Sequence, residues 1–180
     1  MKAVVVYESM FGSTRTVAES VAAGLREAAF DVVAVPVRAA TPELVRSADL
    51  LVVGGPTHAH AMTRASTRKT AVDQGSARGL AVELDAVQDG LREWFDAMTD
   101  RAGTAAAAFD TRLDAPAVFT GQASRGITSR LRAHGFRVVA PRESFLVDKL
   151  PRLLPGEAHR AALWGRRLAD VTHASRANVT

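Results

Sequence analysis

Ser9, Ser13 and Thr14 carry hydroxyls around Gly12, with Arg15 just beyond, between a run of valines and an amphipathic stretch. Hydroxyls donate to oxygen anions, glycine lets backbone approach closely, and arginine adds a full charge. A helix starting here leaves its first N–H groups without intrahelical acceptors and carries partial positive charge at that end. The segment Ser9-Met10-Phe11-Gly12-Ser13-Thr14 therefore reads as a nest for an anion, a phosphate above all. The same residues also serve a simple capped turn, because Ser and Thr are good helix caps. Neither G-x-x-x-x-G-K-[ST] nor G-x-G-x-x-G is present, which argues against nucleotide hydrolysis and against a dinucleotide fingerprint. Only Glu8 is acidic at this strand end, too little for a receiver domain's metal site.

The elements that position this loop follow from periodicity. Ala3 to Tyr7 is a continuous apolar run, as in a strand buried on both faces. Val17, Val21 and Leu25 then recur at helical spacing within 16–29. Val32 to Val37 reads as a second strand, and Thr41-Pro42-Glu43 as a capped helix start. Leu50 to Val53 is a third strand ending at Gly54-Gly55-Pro56, and 62–86 is a long polar connection rich in Arg, Ser and Thr. A helix over 90–99, a strand over 104–109, and a helix over 124–134 ending at Gly135 come next. A fifth strand over 136–140 breaks at Pro141 before 144–147, and Pro155-Gly156 opens a last helix to about His173. Strands alternating with helices predict an α/β fold: an open, twisted, five-stranded parallel sheet with helices on both faces. One domain over 1–174 is expected, with a flexible tail over 175–180. Ligands of such sheets bind beyond the carboxyl ends of the strands, so the loops after the first, third and fourth strands are where chemistry belongs.

The segment "SMFGST" resembles the phosphate loop of flavodoxins, with Phe11 where that family usually has a hydroxyl. The resemblance covers most of the chain and implies the flavodoxin-like strand order 2-1-3-4-5 and non-covalently bound FMN. It places the phosphate on Ser9, Met10, Phe11, Gly12, Ser13 and Thr14. Gly54-Gly55-Pro56-Thr57-His58-Ala59-His60 is similar to the family's loop beside the isoalloxazine, which makes Pro56, Thr57, His58, Ala59 and His60 candidate contacts. Phe109, Asp110, Thr111, Arg112 and Gly121 correspond to the loop on the pyrimidine side. There Phe109 is expected at the end of its strand and Phe119 in the core. Arg112 is expected at flavin O2 or paired with Asp110 or Asp114.

The resemblance implies a redox protein that transfers electrons or reduces a small acceptor, with no catalytic acid or base. Alternatives are a flavin-free interaction module of the same fold, and an NAD(P)H-dependent quinone or flavin reductase. Expected partners are a redox protein or a small-molecule acceptor, in a monomer or homodimer. His58 and His60 have a spacing that suits a metal, but no nearby carboxylate completes a site. The chain has 180 residues, no cysteine and a net charge of +4, so disulfides and thiolate chemistry are excluded. No basic block with interleaved aromatics points to nucleic acid. No run of apolar residues is long enough to span a membrane, and a cytoplasmic location is expected.

Overall fold

The computed structural model describes residues 1–58, 60–84, 86–99 and 103–177. Seven strands form one sheet, with β1 (Lys2–Tyr7) between β2 (Asp31–Pro36) and β3 (Leu50–His58). Beyond β3 comes β5 (Ala105–Leu113), and β4 (Ala61–Met62) folds back antiparallel on the end of β3. The outer position is shared. β6 (Arg137–Val138) pairs with the start of β5, and β7 (Glu143–Val147) with its end. Pro141 lies between them and has no N–H to give a ladder, so the edge is split there. With β6 and β7 counted as one position, the order is the expected 2-1-3-4-5.

The central strands are apolar on both faces because both faces are covered. On one face α1 (Ser13–Glu27) and α7 (Glu157–Ala177) bury Val17, Val21, Leu25, Trp164 and Leu168 against Val5 and Val52. On the other, α2 (Pro42–Arg46), α4 (Leu91–Asp96) and α6 (Ala123–Ala133) surround Val4, Val6, Leu51 and Val53. Thr41 caps α2 as its sequence suggests, its hydroxyl accepting from Leu44 N at 3.2 Å.

Four elements depart from expectation. β3 does not stop at Gly54 but continues through Gly55 and Pro56 to His58, paired with β5 through Pro56↔Thr111. β5 likewise runs past Phe109 to Leu113. α7 extends to Ala177, beyond the expected end near His173, so 175–177 of the expected tail are helical, and 178–180 lie outside the described residues. The polar connection over 62–86 contains a helix, α3 (Ala65–Ala77).

The stripe that α3 buries is Arg68, Ala71 and Gly75. Arg68 is only 2% exposed. It donates to both Glu93 carboxylate oxygens, at 3.3 and 3.2 Å, and to the Thr63 hydroxyl at 3.2 Å. Thr63 donates in turn to buried Glu8 at the end of β1, which also accepts from Leu91 N at 2.9 Å. A buried charge is tolerable only when paired and hydrogen-bonded, and this network pairs the Arg68 guanidinium through both Nη atoms, leaving Nε without a partner among the described residues, while tying α3 to β1 and α4.

Candidate cofactor site

A cleft of about 410 Å³ opens beyond the carboxyl ends of β1, β3, β5 and β7. Its size falls within the range that takes a cofactor-sized molecule. One end is formed by the start of α1, where Ser13 and Thr14 line the wall. No acceptor is recorded for Ser13, Thr14 or Arg15 N–H among the described residues, as the first turn of a helix requires. Gly12 precedes them at φ +91°, a left-handed turn that glycine adopts without strain and that turns β1 into α1.

The hydroxyls of this loop have other duties. Ser9 Oγ accepts from Gly12 N at 3.1 Å, and Ser13 Oγ donates to the Pro151 carbonyl. Thr14 and Thr111 share a hydroxyl bond of 2.8 Å. Phe11 turns its ring toward α3, so close to Gly75 that a Cβ there would lie 2.4 Å from the ring. Glu83 N donates to Met10 O at 2.9 Å, and Met10 packs with Ala71 and Ala86. The segment after β4 therefore lies over the phosphate loop and closes that end of the cleft with Ala71, Gln74, Gly75, Arg78 and Leu80.

The flanks come from two loops that clasp each other. His60, at φ +69°, is bridged to Gly121, at φ +72°. A Cβ on Gly121 would sit 2.1 Å from His60 O, so glycine is required there by contact as well as by conformation. The clasp presents His58 and His60 on one side and Phe119 on α5 (Ala117–Thr120) on the other. Phe119 is 71% exposed at the mouth. Burial lowers the His58 pKa from its ordinary value, favouring the neutral ring. Arg112 is held by the carbonyls of Leu113 and Ala115 and by Thr120 Oγ1 at 3.4 Å. Its Nε is buried without a partner among the described residues.

Residues 5–88, from β1 through α3 and into the segment after it, match the flavodoxin family. A flavodoxin from the domain Archaea has the same fold, with a TM-score of 0.65 at 19% identity over 96% of this chain and 99% of that one. Flavodoxin 1 from Bacillus cereus gives 0.67 at 17% identity over 94% and 98%. The chain has the flavodoxin-like fold. A WrbA-like flavodoxin from Agrobacterium tumefaciens shares the fold at a TM-score of 0.58 and 20% identity, covering 96% of this chain and 98% of the other. No curated protein sequence matches the chain.

FMN is the cofactor of the flavodoxin family. In this flavodoxin-like chain the cleft volume, the open first turn of α1 and the unpartnered Arg112 donor fit such a group. The structure brings Met10, Phe11, Ser13, Thr14, Pro56, Thr57, His58, His60, Thr111 and Arg112 to the cleft wall. Ser9 and Gly12 shape the turn from outside that wall. Thr57 Oγ1 also accepts from Ala123 N at 2.9 Å, capping α6. Gly121 acts through the clasp. Ala59 lies outside the described residues.

Two expected contacts belong elsewhere. Phe109 is wholly buried between Phe145 and Trp164 in the core under α1 and α7. Asp110 points to the opposite face, where Oδ2 accepts from Ser124 N at 2.8 Å and burial raises its pKa. Its Oδ1 has no partner among the described residues. Conversely, Phe119, expected in the core, stands at the mouth. Arg15, expected to add charge at the anion, pairs with Glu83 at 3.4 Å and Glu19 at 3.9 Å outside the cleft. Sequence reasoning missed Gln74, Arg78 and Lys149 on the cleft wall. No signal in their own neighbourhoods marks them. Among the described residues no group of three or more potential metal ligands occurs, and no helix is long and apolar enough to cross a membrane.

Proposed function

We propose that this chain is an FMN-binding redox protein that passes electrons to a partner protein or reduces a small acceptor. The observation that carries the reading is one cleft joining the first turn of α1 to the clasped loops at the ends of β3 and β5. When bound, FMN supplies the redox chemistry, and the chain binds, shields and tunes it. Ser13, Thr14 and Arg15 N–H, with the positive end of the α1 dipole behind them, would hold the anionic end of the ligand. His58 and Phe119 line the other end of the cleft, where they would flank the ring of a bound flavin. Arg112, fixed by three oxygens, sets a positive charge on the same side. Positive charge there favours the electron-rich, reduced form of a bound flavin.

The internal engagement of Ser9, Ser13 and Thr14 supports a second reading, a flavin-free module of the same fold. Purification decides between them. The FMN reading expects protein that is yellow, or becomes so on adding FMN, with the flavin absorption released on denaturation. Protein that takes up no flavin at any concentration refutes it. Steady NADPH oxidation in the presence of a quinone would instead mark a reductase with its own nicotinamide site.

A further inference from the structure

We propose that Arg78, at the C-terminal end of α3, binds the phosphate of the cofactor, with Lys149 as a second cation, and so makes α3 part of the cofactor site. The proposal rests on the reading that the cleft holds FMN. It begins from a shortage of positive charge. The loop between β1 and α1 carries Phe11 where a hydroxyl would add a donor, Ser13 spends its O–H on the Pro151 carbonyl, and Thr14 shares one bond with Thr111, while Ser9 accepts from Gly12 N and keeps its O–H. Its own cation, Arg15, is turned out to Glu83 and Glu19. Backbone N–H and hydroxyl donors remain, all of them neutral, and a cation at the same end adds the stronger, charge-assisted bonds that phosphate oxygens accept.

Three Lys or Arg side chains line the cleft among the described residues: Arg78, Arg112 and Lys149. Arg112 is tied to the Phe119 flank through Leu113, Ala115 and Thr120. The other two stand at the α1 end. Arg78 Nη2 donates to the Lys149 carbonyl at 3.1 Å, while the Ser13 hydroxyl donates to the Pro151 carbonyl. The strap over 149–151 is thus gripped from α3 and from α1 at points two residues apart, a span of at most about 7 Å. Arg78 keeps its remaining N–H donors on the guanidinium fork, the geometry that suits phosphate oxygens. Nearby acids do not cancel the charge. Asp148 is engaged by Leu150 N, Arg152 N and Arg152 Nε, and Glu83 by Arg15. Gln74, one helical turn before Arg78, lines the same wall with a neutral amide.

The test compares FMN with riboflavin, which lacks the phosphate, by flavin fluorescence quenching in the full-length protein and in Arg78→Ala, Arg78→Lys and Lys149→Ala. Arg78 is exposed, and circular dichroism will confirm that the variants stay folded. The expected result is FMN binding at least tenfold tighter than riboflavin in the parent. Arg78→Ala should weaken FMN about tenfold to a hundredfold, the order of a charge-assisted hydrogen bond, and change riboflavin less than about twofold. Arg78→Lys recovers part of the loss, and Lys149→Ala loses a smaller factor. An unchanged FMN-to-riboflavin ratio in Arg78→Ala overturns the proposal, whether both affinities hold or both fall together. A parent that binds the two flavins equally overturns the phosphate role while leaving the flavin reading intact. A parent that binds neither overturns the flavin reading and this proposal with it.

Discussion

Replacing Gly75 by alanine sets two effects of opposite sign against each other. Alanine in a helix interior is favoured over glycine by up to about 1 kcal/mol. Against this, a Cβ at residue 75 would lie 2.4 and 2.7 Å from Phe11 Cε1 and Cζ. Carbon atoms need about 3.5–4.0 Å, so the ring must retreat by roughly 1 Å. Forcing it off its rotamer costs about 0.5–1.5 kcal/mol, and lost packing in the small cluster of Met10, Ala71 and Ala86 adds to that. The net effect on stability is a loss of about 0–1 kcal/mol. In a Phe11→Ala background the obstacle is gone, and the same substitution gains up to about 1 kcal/mol. The coupling between the two sites is therefore about 1–2 kcal/mol, typical of residues in contact. Phe11 also lines the cleft, so Gly75→Ala weakens FMN binding in the parent and leaves it unchanged in the Phe11→Ala background. Urea unfolding and FMN titration of the four proteins measure both quantities. Equal stabilisation by Gly75→Ala in both backgrounds would refute the packing of α3 on the phosphate loop.

Gly12→Asp combines strain at φ +91° with a carboxylate beside Glu83 Oε1, which lies 3.4 Å from the position of the new Cβ, and it should cost at least about 2 kcal/mol of FMN affinity by titration. Thr14→Ala breaks the bond to Thr111 and should destabilise by about 1 kcal/mol in urea unfolding; no change would mean the pair contributes nothing. Arg68→Met removes a buried cation and should cost about 2 kcal/mol, below the 3–5 typical of a broken buried pair, because half-exposed Glu93 can rehydrate. For Asp110 the folded pKa is raised above its ordinary value of 3.8, first by desolvation, against the opposing hydrogen bond from Ser124 N. Its contribution to stability is thus fully present below the ordinary value and lost as pH rises through the raised one. The Tm of Asp110→Asn minus that of the parent should grow from pH 3.5 to 7.5, and a difference independent of pH counts against an uncompensated buried carboxyl.

Local pattern was enough for the frame. The valine and alanine runs of β1, β3 and β5, the stripe Val17-Val21-Leu25 on α1 and the cap at Thr41 each carry their own period or turn chemistry, so element type was legible in the chain, while strand order followed from the resemblance to flavodoxins. The turn from β1 into α1 was legible too, because a strand, a glycine and a helix start are consecutive in sequence. Three things were not. α3 buries Arg68, Ala71 and Gly75, a stripe with helical spacing but almost no apolar content, so no hydrophobic period revealed it. The facing of residues 109–112 depended on how far β5 runs. Once the strand continues to Leu113, alternation sends Phe109 to the α1–α7 core and Asp110 to the α6 side. In a strand covered on both faces, composition does not say which side is which. Phe119 stands at the mouth, not in the core, because the His60–Gly121 clasp holds its helix at the cleft. The cleft's cations follow the same rule. Arg78 and the Lys149 carbonyl are 71 residues apart in the chain and 3.1 Å apart in space, a contact that only the closing of the sheet and its crossovers brings about.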